Sequence, residues 1–363
     1  MKKKVTIFGS TGSIGLSTLD IINQHSDKYE IVGLSINNNY EKLLEQVSTF
    51  KPKIVSIRDS KSFEKFKNKN TLKNLKILNG YDSFDDILDY ETDIVVAAIT
   101  GSAGLLPVVG AVKRGITIAL ANKESLVCSG SLVTSLAKKN GSMILPVDSE
   151  HNAIYQVLDL KNKNNVSKLI LTASGGPFLN KKLDEMKNIT PEQAVKHPNW
   201  SMGKKISVDS ATMMNKVFEV IETQKIFNLP KNKISILLHE DSYLHAIVKF
   251  QNGITKLLIH DTNMEIPIFN TLYNDVNKSL RTKNLDFTKL NNLSLKFLNQ
   301  SRFPIIKIIK KISNRDSLFE TVIVACNDEL VNLFLNKKIN YIQLQKNLVK
   351  LLCSNKFSKY KLK

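Results

Sequence analysis

The segment from His197 to Glu219 carries the densest group of chemically capable side chains in the chain. His197-Pro198 and Gly203 are typical of a loop, and the two lysines after Gly203 would attract an anion. Trp200, the only tryptophan, stands in this polar loop, where we interpret it as a lid over a ligand or as an anchor for the loop itself. An ordinary amphipathic helix after a solvated loop would show the same pattern, so both interpretations stay open.

The second half of the segment changes character. Asp209 and Ser210 are good N-cap types and residues 211–219 have a helical pattern, so the sequence predicts a helix that begins here, with free N–H groups aimed at the loop. Glu219 would lie on the same face. The donors suited to a phosphate monoester are the side chains of Ser210, Asn215 and Lys216.

Two carboxylates stand close together at Asp148 and Glu150, after the strand pattern 143–145. In an extended segment both would face the same way and repel each other, and a divalent ion with oxygen ligands relieves that repulsion. Glu219 is the candidate third ligand. Such a carboxylate set suits Mg²⁺ or Mn²⁺ better than zinc, and a solvated acidic turn is the alternative.

A nucleotide domain should position part of this chemistry. Val5–Phe8 has the pattern of a strand, Gly9-Ser10-Thr11-Gly12-Ser13-Ile14-Gly15 follows it, and a helical pattern begins at Leu16. Strand, glycine turn and helix in this order are typical of a dinucleotide site. The second strand, 31–35, is followed by Asn37-Asn38-Asn39, which offers neither an acid for a ribose hydroxyl nor a base for a 2′-phosphate, so these residues leave NAD and NADP open.

The alternation of strands and helices continues to residue 150 and predicts an α/β fold with a doubly wound parallel sheet. Asn122-Lys123-Glu124 follows one of these strands, where such sheets bind ligands, although a routine helix cap would look the same. Strand 168–172 leads to Ser174-Gly175-Gly176, which could present a hydroxyl and backbone N–H groups to a phosphate or be a plain turn. Three further strand patterns, 234–238, 246–250 and 256–259, predict an open sheet with a hairpin at Asn252-Gly253.

Composition excludes several classes. The net charge of +19 over 363 residues is spread along the chain without a basic stripe interleaved with aromatics, so we expect no nucleic-acid partner. No apolar run approaches a membrane span, and a strand pattern begins almost at once, so we expect a cytoplasmic protein with no membrane partner. Three scattered cysteines agree with this.

The chain divides by pattern into four parts: a nucleotide-binding domain at 1–150, a catalytic α+β domain at 151–273, a linker at 274–299 and a small α-helical domain at 300–363. Sheets of the predicted open kind often continue across a dimer interface, and we expect a homodimer.

Five blocks together resemble one family, 1-deoxy-D-xylulose 5-phosphate reductoisomerase, in the same order and over nearly the full chain. They are Gly9–Gly15, Leu120–Leu126, Pro146–His151, Ser174–Phe178 and His197–Glu219. The resemblance implies rearrangement of this sugar phosphate and its reduction with NADPH to 2-C-methyl-D-erythritol 4-phosphate, for isoprenoid synthesis. A different oxidoreductase acting on a phosphorylated hydroxy-ketone and an inactive binding protein are the alternatives.

The resemblance also implies roles for individual residues. The divalent metal would be held by Asp148, Glu150 and Glu219. Substrate contacts would come from Lys123, Ser149, Ser174, His197, Trp200, Ser210, Asn215 and Lys216, and the catalytic set would be Lys123, His197 and the three acids. Cofactor contacts would come from Thr11, Gly12, Ser13, Ile14, Asn37, Asn38, Asn39, Asn122, Glu124 and Gly203. The chain departs from the family where Asn38 replaces a usual basic residue and in a shortened helical end, and the first departure leaves the strength of the NADPH preference open.

Overall fold

The structure is a computed structural model that describes residues 1–80, 83–158, 165–200, 202–273 and 279–362. It divides into two compact units. The first comprises Met1–Ser125, Leu132–Asp148 and Met264–Leu280, and the second comprises Leu126–Ser131, Ser149–Asn263 and Arg281–Lys363. This grouping places Met264–Leu280 with the nucleotide-binding part, whereas the predicted four domains remain an expectation. The start of the predicted linker, 274–278, lies outside the described residues.

The strands follow the sequence pattern closely. In chain order they are β1 (Lys3–Phe8), β2 (Tyr29–Ile36), β3 (Ile54–Ile57), β4 (Lys76–Asn79), β5 (Ile94–Ala97), β6 (Thr117–Leu120), β7 (Ile144–Pro146), β8 (Val166–Ala173), β9 (Ile234–Leu238), β10 (Leu244–Phe250), β11 (Thr255–Ile259) and β12 (Lys296–Phe297).

The helices in chain order are α1 (Ser13–Gln24), α2 (Tyr40–Phe50), α3 (Ser60–Lys69), α4 (Ser83–Leu88), α5 (Leu105–Lys113), α6 (Lys123–Asn140), α7 (Ser149–Val157), α8 (Pro191–Ala194), α9 (Lys204–Thr212), α10 (Met214–Phe227), α11 (Glu265–Tyr273), α12 (Phe287–Asn291), α13 (Phe319–Leu335) and α14 (Tyr341–Cys353). Short 3₁₀ segments include Pro304–Lys311, just before α13. No helix in the described ranges is both long and apolar enough to cross a bilayer.

The first unit is built on a parallel seven-stranded sheet, as far as the described residues show. Its strand order is β4-β3-β2-β1-β5-β6-β7. Consecutive residues of β1, from Val5 to Phe8, are buried, as expected where both faces of a parallel sheet are covered. The predicted doubly wound sheet is confirmed. Helix α11 joins this core through Ile268, Phe269 and Leu272, and Tyr29 donates to the Leu272 carbonyl at 3.0 Å.

The second unit contains a mixed sheet in the order β11-β10-β8-β9-β12. Strands β8 and β9 are parallel and the other neighbours are antiparallel. The four predicted strands are confirmed as β8, β9, β10 and β11. The turn at Asn252-Gly253 is also confirmed, since it joins the antiparallel pair β10 and β11 and Gly253 takes a φ of +88°. Helices α7 and α10 contribute Ile154 and Val220 to the apolar layer on this sheet.

The helical end of the chain packs within the second unit. Phe319, Phe334 and Tyr341 share one buried core with Phe218 and Ile221 of α10. The Tyr341 hydroxyl donates to the carbonyl of Ala211 at 2.6 Å. These contacts tie α13 and α14 to the pair α9 and α10, whose residues the sequence singled out for chemistry.

Two local predictions are wrong. Asp209 and Ser210 do not begin a helix: α9 begins after Gly203, and Met213, at a φ of +67°, separates it from α10. The Asp209 carboxylate accepts from Lys205 at 2.9 Å and from Asn327 at 2.7 Å instead of capping a helix. The extended segment expected through Asp148 and Glu150 is also absent from the described chain, since α7 begins at Ser149.

Candidate functional site

A cavity of about 470 Å³ lies in the first unit at the carboxyl ends of β1, β2, β3 and β5. Its floor is the glycine turn, where Gly9 takes a φ of +88°. A Cβ on Gly9 would approach the Ala98 carbonyl oxygen to 2.7 Å, so only glycine fits there. Gly12 precedes α1 without a side-chain cap, which leaves backbone N–H groups available to an anion. The cavity therefore has the form of a dinucleotide cradle.

The cavity brings together only part of the predicted cofactor set. Among the described residues that line it, the predicted ones are Thr11, Gly12, Asn37, Asn38 and Asn39. Ser13 and Ile14 begin α1, Asn122 and Glu124 follow β6, and none of these four is in that lining. Gly203 belongs to the second unit. The structure adds one charged lining residue that the sequence interpretation missed, Arg58, which directly follows β3.

Asn122 is a helix cap as well as a candidate contact. Its Oδ1 accepts from the backbone N–H of Ser125 at 2.9 Å, and its Nδ2 donates to the carbonyls of Ile99 and Gly101 at 2.6 and 2.9 Å. The cap interpretation of this cluster is confirmed. It orients the next residue, Lys123, whose buried ammonium donates to the Asp148 carboxylate within the first unit.

The second unit holds a buried cluster of opposite charges. The Lys216 ammonium donates to Glu150 and, at 2.7 Å, to Glu219. Glu219 is fully buried and also accepts from the Asn215 amide at 2.5 Å. Burial alone would lower the pKa of Lys216, but the two carboxylates outweigh it and raise that pKa above its ordinary value. One ammonium is therefore held between two carboxylates.

A divalent ion fits this donor set. The ligands that a hard cation such as Mg²⁺ prefers are carboxylate oxygens, and Glu150 and Glu219 present them to a common cation already, the Lys216 ammonium. Repulsion between neighbouring carboxylates is the electrostatic reason for a cation to bind beside them. Asp148, the remaining predicted ligand, belongs to the first unit, two residues before Glu150 in the chain.

His197 and Ser174 meet in the second unit. The His197 Nε2 lies 3.0 Å from the Ser174 Oγ, and its Nδ1 is approached at 3.1 Å by the backbone N–H groups of both Asn199 and Trp200. Two donors on Nδ1 require a lone pair there, so the proton sits on Nε2 and points at the serine. Burial and then the Lys216 charge lower the His197 pKa to about 4, and the ring is neutral at physiological pH.

A small recess of about 10 Å³, the size of one water, gathers three predicted phosphate ligands. It is lined by Ala173, Ser174, Gly175, Ser210, Met213, Asn215 and Lys216. Gly176 approaches α9 so closely that an added Cβ would lie 2.9 Å from the Ala211 Cα. Close packing of this glycine turn on α9, and the break at Met213, bring residues from β8, α9 and α10 to one point.

Trp200 and Ser149 have described partners in the second unit. The Trp200 ring lies 6.2 Å from that of His245, and His245 stacks on His260 at 3.6 Å. Burial, and then the charge of His260, lowers the His245 pKa to about 3. The sequence interpretation missed this histidine pair, although both residues flank strands of the predicted sheet. Ser149 donates to Glu150 at 2.7 Å, and the lid role of Trp200 stays a prediction.

Comparison with known families gives matches along most of the chain. The model described as 1-deoxy-D-xylulose 5-phosphate reductoisomerase matches residues 5–130. The model for the C-terminal domain of 1-deoxy-D-xylulose 5-phosphate reductoisomerase matches 144–227. A further model, described as DXP reductoisomerase C-terminal domain, matches 260–362.

Individual relatives agree with these matches. The chain is 50% identical over 363 residues to 1-deoxy-D-xylulose 5-phosphate reductoisomerase of Pelagibacter ubique, with 99% of this chain and 93% of the relative covered. It is similar to the Zymomonas mobilis enzyme of that name solved with NADPH, at 37% identity and a TM-score of 0.88, covering 97% of this chain and 92% of that one. A DOX-P reductoisomerase solved with NADPH, fosmidomycin and magnesium gives 36% identity and a TM-score of 0.92, covering 98% and 90%.

Proposed function

The chain belongs to the 1-deoxy-D-xylulose 5-phosphate reductoisomerase family, and we propose from this premise a division of roles between its two units. The enzyme rearranges 1-deoxy-D-xylulose 5-phosphate and reduces the product to 2-C-methyl-D-erythritol 4-phosphate, with NADPH and Mg²⁺, for isoprenoid precursor synthesis. In our proposal the first unit holds NADPH, and the second holds the sugar phosphate and most of the metal ligands.

NADPH binding is assigned to the cavity of the first unit. Thr11 and Gly12 would contact the pyrophosphate, because the start of α1 offers backbone N–H groups and a favourable dipole. Asn37, Asn38 and Asn39 would lie beside the adenosine ribose. Ser13, Ile14, Asn122, Glu124 and Gly203 complete the proposed set.

Metal binding is assigned to Glu150 and Glu219 with Asp148. The support is the charge of the buried cluster, in which one lysine faces two carboxylates. A divalent ion bound there would polarise adjacent substrate oxygens as a Lewis acid. Mn²⁺ as an alternative to Mg²⁺ is part of the proposal, since all-oxygen ligand sets accept either.

The substrate phosphate is assigned to Ser174, Ser210 and Asn215, with Lys216 beside them. Two hydroxyls, one amide and one ammonium line a recess with the volume of a single water, so they suit one oxygen of a phosphate. His197 would act as a neutral donor through Nε2, because Nδ1 accepts from two backbone N–H groups. Lys123 and Ser149 would hold substrate oxygens, and Trp200 would exclude water.

One observation carries the proposal: Lys216 belongs to both groups. Its ammonium donates to Glu150 and Glu219, and it also lines the recess with Ser174, Ser210 and Asn215. Carboxylates for a metal and donors for a phosphate are what this reaction needs in one place.

The test is an assay of the purified chain that follows NADPH absorbance with 1-deoxy-D-xylulose 5-phosphate and Mg²⁺ or Mn²⁺. We expect oxidation that requires both substrate and metal, and much slower oxidation with D-xylulose 5-phosphate as the matched control. No oxidation at any metal concentration would contradict the proposal, and equal rates with both sugars would favour a broader oxidoreductase.

Two further assignments belong to the proposal. A homodimer is supported by the strand edges of the second sheet, where β12 carries the exposed Phe297. A cytoplasmic location is supported by the cysteine content, since three cysteines scattered along the chain are too few for a disulfide framework.

A further inference from the structure

The dinucleotide cavity of the first unit holds one charge among its described lining residues. Glycines, amides, hydroxyls and apolar side chains make up the rest, and the charged residue is Arg58. A cofactor that binds there as a polyanion meets this guanidinium, which is exposed to solvent at the cavity edge. The place of Arg58 in the cavity decides which phosphate group of the cofactor its guanidinium can reach.

Arg58 lies beside the Asn37–Asn39 segment because β2 and β3 are neighbours in the sheet. The backbone N–H of Arg58 donates to the Ile36 carbonyl at 3.1 Å, and that of Asp59 donates to the Asn37 carbonyl at 2.9 Å. The residue after β3 is thus fixed next to the residues after β2. In this fold the end of β2 is where the ribose 2′ position is recognised.

We propose that Arg58 binds the 2′-phosphate of NADPH and so supplies, from β3, the positive charge that Asn38 does not supply from β2. This inference rests on the proposed function, because it requires NADPH in this cavity. It assigns the cofactor preference of the chain to a residue outside the glycine turn and outside the asparagine triplet.

The chemistry of the side chain suits this role. A guanidinium presents a planar pair of donors that matches two phosphate oxygens, and it remains charged at every physiological pH. A 2′-hydroxyl offers no such acceptor pair, so the contact distinguishes NADPH from NADH. The asparagines add neutral hydrogen-bonding groups, although Asn39 is partly committed because its Oδ1 caps α2 at the Lys42 N–H.

Two charged side chains near the ends of β2 and β3, Lys42 and Asp59, have partners of their own among the described residues. The Asp59 carboxylate accepts from the N–H and hydroxyl of Ser62 at 2.8 and 2.7 Å, where it caps α3. Lys42 pairs with Glu45 at 2.6 Å. Lys61 stands in the first turn of α3, outside the described cavity lining, and it therefore provides a control with the same charge and nearly the same place in the chain.

The experiment measures NADPH and NADH binding to the metal-free chain by calorimetry, for the unchanged protein, Arg58→Gln, Arg58→Lys and Lys61→Gln. Loss of a charge-assisted bidentate contact should weaken NADPH binding about 10- to 100-fold in Arg58→Gln. NADH binding should change less than about twofold, Arg58→Lys should retain part of the preference, and Lys61→Gln should match the unchanged chain. Thermal unfolding of each variant checks that the fold is intact.

The outcomes separate this inference from the proposed function. If the unchanged chain prefers NADPH and Arg58→Gln keeps that preference, or loses both dinucleotides equally, the assignment of Arg58 is overturned while the proposed function stands. An unchanged chain with equal affinity for both cofactors also overturns it. If the unchanged chain binds neither, the proposed function fails together with the inference.

Discussion

The cofactor cavity of the first unit and the charged cluster of the second unit are built on opposite principles. The cavity is formed by backbone, glycines and amide side chains, with a single guanidinium among its described lining residues. The cluster instead buries an ammonium and one carboxylate, with Lys216 at 5% and Glu219 at 0% exposure, beside the partly buried Glu150. A site built from backbone keeps its shape when one side chain is lost, whereas a buried charge cluster depends on every member.

Glu219→Gln should have the largest effect on this comparison, since it removes one of the two carboxylates that face Lys216. We expect turnover to fall by at least about 1,000-fold, because transition-state stabilisation of several kcal/mol depends on the metal. The measurement is NADPH oxidation under saturating substrate and Mg²⁺. Glu240→Gln is the control and should keep turnover within about tenfold, because this carboxylate of the second unit pairs with Lys296 at 2.6 Å, outside the cluster. Equal losses in the two variants would contradict the assignment.

Lys216→Met should destabilise the second unit, because the buried Glu219 and the partly buried Glu150 lose their shared cation. The expected loss is about 3–5 kcal/mol of unfolding free energy, measured by urea denaturation without metal. Mg²⁺ should restore stability to this variant more than to the unchanged chain, since the ion replaces the missing charge.

Lys225→Met is the matched control for that prediction. Lys225 lies on the same helix as Lys216 and pairs with the exposed Asp316, and such a pair contributes about 0–1 kcal/mol. If Lys216→Met costs no more than this control, or does not respond to Mg²⁺, the cluster is not an electrostatic unit.

Gly9→Ala tests the cavity in the same way. An added Cβ would meet the Ala98 backbone, and φ at this position is +88°, so we expect a loss of roughly 2–4 kcal/mol in stability and weaker NADPH binding. Gly141→Ala is the control, because Gly141 also has a positive φ of +69° but open space around its Cα. That change should cost only about 1 kcal/mol, and similar losses at both positions would show that close approach to Ala98 is unimportant.

The smallest predicted effect is a pH dependence from His197. Its folded-state pKa is about 4 against an ordinary value of 6.5, so the unfolded chain takes up a proton first as the pH falls. The contribution to stability is complete above the ordinary pKa and is lost as the pH drops toward 4. Since the ring is partly exposed, we expect only about 1 kcal/mol. The free energy of unfolding, measured by urea denaturation at several pH values in this range, should depend less steeply on pH in His197→Gln than in the unchanged chain. The same pH dependence in both proteins would contradict the burial of a neutral ring.

The two regions also differ in how well sequence predicted them. The strand, glycine turn and helix of the cavity are contiguous, and the cap at Asn122 acts within three residues, so local pattern was enough. Arg58 was missed because its proximity to Asn37 depends on sheet order, which places β3 beside β2. A basic residue directly after a strand was the available signal.

The charged cluster depends on contacts that no local pattern contains. Glu150 and Lys216 are 66 residues apart, and Asp209 bonds to Asn327 across 118 residues. That second contact explains why the predicted helix start at Asp209 was wrong. The Asp209 carboxylate accepts a hydrogen bond from a distant side chain instead of capping a helix. The acids and Lys216 were predicted from residue types and spacing and again through the family resemblance, but Lys216 as the shared partner of two acids was visible only in the fold.

The most direct test of the central claim is to measure Mn²⁺ affinity and NADPH affinity on the same sample of Glu219→Gln, by electron paramagnetic resonance and calorimetry. If the cofactor and the metal are held by separately built regions, Mn²⁺ binding should weaken by at least about 100-fold while NADPH affinity stays within about twofold of the unchanged chain. Parallel loss of both affinities, or unchanged Mn²⁺ binding, would contradict the account.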